Sequence, residues 1–117
     1  MCAAQVEWFK TRLQRDRDVA INALTGLRRD LEDLVPESDV SDVASNVEAN
    51  DLSARHAERL KNELGQIDDA LKRIQDGEYG YCVDTGDEIG LPRLVAAPTA
   101  RRTIDAQEAQ ERRLRHS

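Results

Sequence analysis

Aromatic residues are nearly missing from this sequence: one Phe, one Trp and two Tyr among 117 positions, 3% of the chain. A chain this short with so few large apolar side chains buries only a modest core, which argues against an enzyme built around a deep substrate cavity. Cysteine is scarce too. Cys2 and Cys82 cannot form a disulfide framework or fill a four-thiolate metal site, and His56 and His116 stand at no ligand spacing from them. Long apolar runs are absent. Nothing approaches the roughly 18 residues of a membrane span, and the opening MCAAQVEWFKTRL has neither a signal-peptide core nor a cleavage pattern, so a cytoplasmic protein away from membranes is expected. An excess of basic residues is missing as well: the formal charge is −6, which argues against attachment to DNA through phosphate contacts. There is no internal repeat and no low-complexity tract.

Charge of both signs is what the chain has in quantity. Asp, Glu, Lys and Arg make up 34% of it, a balance typical of long solvated helices with aliphatic seams. Apolar positions at Val6, Leu13, Ala20, Leu24, Leu27, Leu31 and Leu34 follow steps of three and four or their multiples, with Trp8 and Phe9 thickening the start. One apolar stripe of that period predicts a helix. Arg17 falls on the stripe, where its aliphatic stem can lie while the head stays in water. Pro36 stops the helix, because the residue before a proline is pushed out of the α region.

A second stripe, Leu60, Leu64, Ile67, Leu71 and Ile74, keeps heptad spacing and fades upstream into Ala57, Ser53 and Leu52. It predicts the returning arm of an antiparallel pair. Gly77 after Asp76 closes it, glycine being the residue that takes the left-handed conformation at helix ends. Residues 1–76 therefore read as a coiled-coil hairpin, with arms of about 30 residues reaching roughly 45–50 Å. Between the arms lies PESDVSDVASN, 36–46, a polar turn in which Ser38, Asp39, Ser41 or Asp42 can cap the second helix. Its carboxylates are open to two readings, a cap that favours the helix dipole or an acidic probe at the end of a long arm.

From residue 77 to 117 the character changes. Thr85-Gly86-Asp87 is a tight-turn signal between β-formers and predicts a short hairpin of Tyr81–Val83 with Glu88–Gly90. Pro98 and Thr99 introduce a last helix. GYCVDTGDEIG, 80–90, looks like half of a zinc knuckle, with Thr85 where a second cysteine would stand. The expected fold class is mainly α: a long antiparallel coiled-coil hairpin, a small metal-free zinc-finger-like globular end and a C-terminal helix.

The order GYC..TG.EIG..RL.A.PTA...ID, preceded by a helical hairpin with DVSDVA at its tip, resembles the DksA/TraR family of regulators that bind RNA polymerase. The resemblance runs from about residue 6 over nearly the whole chain. The family's tip pattern, D-x-x-D-x-A, falls on Asp39, Asp42 and Ala44, and its zinc pattern, C-x2-C twice, falls on Cys82, Thr85, Thr103 and Ala106. With three of four thiolates replaced, tetrahedral zinc is not expected, and a small packed cluster should stand in for it. Tyr79, Tyr81, Ile89, Leu91, Leu94, Val95 and Ile104 are its expected members. Cys82 reads as a small buried hydrophobe, with a redox-sensing thiol as the alternative. Basic positions that the family uses for guanosine tetraphosphate fall on Gln66, Ala97 and Gln107, so dependence on that nucleotide is doubtful, although Arg93, Arg101 and Arg102 lie nearby.

The resemblance implies a monomeric transcription regulator that acts without DNA contact. Its coiled coil would enter the secondary channel of RNA polymerase, Arg59 would grip the channel rim, and Asp39, Asp42 and Ala44 would meet the catalytic elements and alter promoter-complex stability. Two other readings stay open: a transcript-cleavage-type factor whose tip carboxylates help hold magnesium at the polymerase centre, and a plain coiled-coil adaptor. No catalytic residue of its own is expected.

Overall fold

The structure, a computed structural model, describes the backbone of residues 1–33 and 40–116 and the side chains of 1–29 and 51–115. Four helices follow one another: α1 (Ala3–Asp33), α2 (Val40–Asp76), α3 (Leu91–Ala96) and α4 (Ile104–His116). The chain forms two compact units, one of Met1–Gln14 with Gln66–Ser117, the other of Arg15–Gly65.

In the first unit the opening turns of α1 pack on the closing turns of α2. Phe9 and Leu13 from one helix and Ile67 and Ala70 from the other are buried in a single cluster, which Tyr79, Cys82, Ile89, Leu94 and Ala106 complete. Phe9, Leu13, Ile67 and Leu94 are almost wholly enclosed, each burial favouring the fold by about 1.5–3 kcal/mol before entropy is counted. Trp8 does not join this core and is 53% exposed. Neighbouring helix positions lie about 100° apart, so only one of Trp8 and Phe9 can face the seam, and Phe9 stands four residues before Leu13. The Trp8 ring instead meets Phe9 edge-on at 4.9 Å, with the Arg12 guanidinium 5.8 Å from its centroid. In the second unit Ala20 and Leu60 are buried and Leu24, Leu27, Ser53, Ala57 and Leu64 are half-buried, whereas Leu52 is exposed.

α2 ends as its sequence requires. Gly77 has φ 77°, its amide donates to the Ile74 carbonyl at 3.2 Å, and the Glu78 amide reaches the Arg73 carbonyl at 2.8 Å. This is the paired-bond closure that a left-handed glycine allows. At the other end α2 already includes residues 40–46, so the expected polar turn of 36–46 is in part helical. Small polar and acidic residues are well tolerated in a first helical turn, where they favour the dipole.

The globular end differs from expectation in four places. The hairpin of 81–83 with 88–90 shrinks to one antiparallel bridge, Tyr81 to Glu88, with Gly86 at φ 78° in its turn. Residues 91–96 form the short helix α3, with Pro92 in its first turn, where a missing amide hydrogen costs nothing. The last helix starts at Ile104, not at Pro98. Of the expected packing cluster, Tyr79, Ile89 and Leu94 are buried, whereas Tyr81, Leu91, Val95 and Ile104 are 38–56% exposed.

Candidate functional site

The four positions of the knuckle pattern come together at two turns. In the first, Cys82 donates its amide to Asp87 at 2.7 Å and its carbonyl accepts from Gly86 at 2.9 Å, while the Thr85 hydroxyl accepts weakly from the Asp87 amide at 3.3 Å. In the second, Thr103 stands immediately before α4 and its Oγ1 accepts the Ala106 amide at 3.2 Å. That is the bond of an N-cap to the third helical residue. Ala106 is buried, and Thr103 half-buried.

Cys82 is buried in the core cluster, as a small hydrophobe would be, yet its sulfur is also ringed by donors. Burial is the largest influence and by itself pushes the thiol up. The Thr85 hydroxyl and the backbone amides of Thr103, Asp84 and Thr85 outweigh it together and bring the thiol down from 9.0 to about 7. Three of the four pattern positions thus meet at the sulfur through hydrogen bonds.

The arginines near the expected nucleotide positions already have acceptors. Arg102 donates from Nε to Asp84 Oδ2 at 2.7 Å, Arg93 donates from Nε to the Arg102 carbonyl at 2.8 Å, and Arg101 pairs with Asp69 at 3.3 Å. Gln66 is exposed, and Ala97 and Gln107 are half-buried. None of these three supplies a cation.

Sequence reasoning missed a further set of polar staples. Arg73, only 6% exposed, lies on α2 with its guanidinium 5.9 Å from the Tyr79 ring centroid. Burial lowers its pKa, against the raising influence of Asp69, whose carboxylate stands 3.8 Å away. Tyr79 donates its hydroxyl to the Pro98 carbonyl at 2.7 Å, and Arg12 reaches the Val95 carbonyl at 2.7 Å. The one signal available for Arg73 was its place six residues after Ile67, beside the Ile74 seam.

On the second unit Arg59 is exposed and adjoins the buried Leu60. One turn earlier Asp51 and Arg55 form an exposed pair at 3.0 Å. Asp42 and Ala44 belong to α2 by their backbone, with side chains outside those described, and Asp39 lies outside the described residues.

Residues 77–112 match the family model described as "Prokaryotic dksA/traR C4-type zinc finger". Over 115 residues the chain is 37% identical to the RNA polymerase-binding transcription factor DksA of Caulobacter vibrioides, spanning 95% of this chain and 79% of that protein. The protein of the same name from Escherichia coli K12 is 37% identical over 73 residues, 62% of this chain and 48% of its own length. Among solved structures, transcription factor DksA2 from Pseudomonas aeruginosa aligns with a TM-score of 0.92 and 42% identity over 99% of this chain and 90% of its own. The RNA polymerase binding protein and transcriptional regulator Dks from Chlamydia trachomatis aligns with a TM-score of 0.61 at 25% identity, over 97% and 95%.

A C4 finger holds zinc on four thiolates. The donor set here does not suit that metal: Cys82 is the one thiol, Thr103 Oγ1 is engaged as a cap and Ala106 has no donor. Among the described residues no group of three or more His, Cys, Asp and Glu is arranged to hold a metal ion.

Proposed function

The chain belongs to the DksA/TraR family, and from that premise we propose that it regulates transcription by binding RNA polymerase directly, without contacting DNA. The observation that carries this reading is similarity along 95% of the chain to a protein named for RNA polymerase binding. In this reading the coiled coil of α1 and α2 enters the secondary channel, Asp39, Asp42 and Ala44 act on the catalytic elements, and Arg59 supplies a rim contact. The exposure of Arg59 and the net charge of −6 support a protein partner. The regulator shifts promoter complexes by binding their alternative states unequally, since equal binding would shift nothing.

The protein acts as a monomer, and its globular end works without zinc, because the donor set there does not suit the metal. Its response to guanosine tetraphosphate is weak: Gln66, Ala97 and Gln107 carry no positive charge, and Arg93, Arg101 and Arg102 are held by their own acceptors. Capture of purified core polymerase by the tagged protein, followed by promoter-complex lifetimes with and without it, tests the function. Binding together with a changed lifetime is the expected result. Failure to capture core polymerase overturns the reading.

A further inference from the structure

In a four-thiolate finger the metal ties the first knuckle turn to the second. In this chain the same two turns, 82–87 and 101–106, are joined by polar contacts. The Val83 amide donates to the Arg101 carbonyl at 2.9 Å. One residue further on each side, Arg102 Nε meets Asp84 Oδ2 at 2.7 Å, with side-chain exposures of only 20% and 31%. Arg102 is itself fixed from α3, where the half-buried Arg93 donates to its carbonyl at 2.8 Å. Arg101 is anchored in turn to Asp69 on α2 at 3.3 Å.

These contacts have the features that make an ion pair matter. Surface pairs on long free side chains contribute little, because solvent screens them and ordering both partners is unfavourable. Here the Arg102 backbone is already held by Arg93 and Asp84 sits inside a tight turn closed by Cys82 and Gly86, so little ordering remains to be done, while the pair stays open enough to solvent for salt to weaken it. A short charge-assisted bond between two pre-ordered groups is the stronger kind. It also spans residues 18 positions apart, so it constrains the globular end as a metal bridge would.

We propose that the Asp84–Arg102 pair, held by Arg93, is the clamp that joins the two knuckle turns of this chain. Closure of the globular end then answers to ionic strength and not to metal supply. The Val83 amide, which donates across the two turns, is the natural reporter, because it is released when they part.

The experiment is hydrogen exchange at the Val83 amide, read by NMR in the full chain. For the wild type, exchange accelerates as sodium chloride is raised and does not change with a strong chelator. Insensitivity to salt, or acceleration by the chelator, overturns the proposal, and neither measurement needs a variant to fold. In a double-mutant cycle, Asp84→Asn and Arg102→Gln each speed exchange on the order of tenfold. The double variant goes no further than either single one, because the two residues form one contact. No effect from either substitution, or effects that multiply in the double variant, would show that the turns are held by something else.

Discussion

The hydroxyl of Thr103 accepts the amide hydrogen of Ala106 at 3.2 Å: two positions where the family's finger places thiolates are joined here by a helix cap. The residue that stands at a ligand position of the pattern also caps the start of α4. Thr103→Ala should therefore cost about 1 kcal/mol, and Thr103→Ser no more than a few tenths. Urea denaturation of the three proteins checks the order. Equal stability of the Ala variant and the wild type would remove the cap from the account.

Tyr79 gives an alkaline signature. Burial lifts its phenol from 10.0 to about 12, with Arg73 and Arg12 opposing. A group that holds its proton more tightly in the folded chain adds stability that is full below the unfolded value and lost as pH rises through the folded one. Stability of the wild type should thus decline between about pH 10 and 12, and the decline should be shallower in Tyr79→Phe. At neutral pH the same variant leaves the Pro98 carbonyl without its donor and should cost about 1 kcal/mol. Denaturation curves across this pH range decide both points.

Cys82 works in the opposite sense. Its folded value is depressed from 9.0 to about 7, so its contribution is fully present above the unfolded value and lost as pH falls through the folded one. The stability gap between wild type and Cys82→Ala should widen as pH rises from about 7 to about 9. A gap constant across that window would mean that the ring of donors does not favour the thiolate.

Metal removal should have no effect. With one thiol among the four knuckle positions, purified protein is expected to carry well under one zinc per chain, and a strong chelator should leave the urea midpoint unchanged. Elemental analysis and denaturation with and without the chelator are the measurements. Stoichiometric zinc would contradict the donor-set argument directly.

Binding and action should separate along the arm. Asp42→Asn keeps the size of the side chain and removes its charge, so the variant should compete with wild type for RNA polymerase yet fail to change promoter-complex lifetime. Arg59→Ala should weaken binding, with activity restored by excess protein, since a rim contact supplies affinity without taking part in the mechanism. Asp39→Asn is expected to be the milder of the two tip changes. Equal loss of binding in the Asp42 and Arg59 variants would show that the tip carboxylate has no separate role.

Much of the fold was legible because it rests on local rules. The two stripes placed α1 and α2, Gly77 marked the end of α2, and Thr85-Gly86-Asp87 marked the turn, since each depends on neighbours within a few residues. Trp8 was misjudged because periodicity alone does not decide which of two adjacent apolar residues faces inward. α3 was missed because six residues are too few for a period to show. The arginine contacts could not be read at all: a charged residue in a sequence rich in both signs has many potential partners, and only the folded chain brings Arg102 to Asp84 or Arg12 to the Val95 carbonyl. The knuckle positions were found by pattern, but a pattern of metal ligands says nothing of the helix cap that the Thr103 hydroxyl forms.

The first compact unit is assembled from two stretches, Met1–Gln14 and Gln66–Ser117, with all of Arg15–Gly65 between them. During synthesis Phe9 and Leu13 therefore leave the ribosome with nothing to bury them. At elongation rates of roughly 5–20 residues per second, the partners Ile67 and Ala70 follow several seconds later. The Val95 carbonyl that receives Arg12, 83 residues away, arrives later still. Closing so long a loop is slow relative to pairing neighbours along one helix. The newborn chain should thus pass through an interval in which Phe9 and Leu13 have no partners to bury them, the interval in which unshielded apolar surface makes a chain most prone to aggregate.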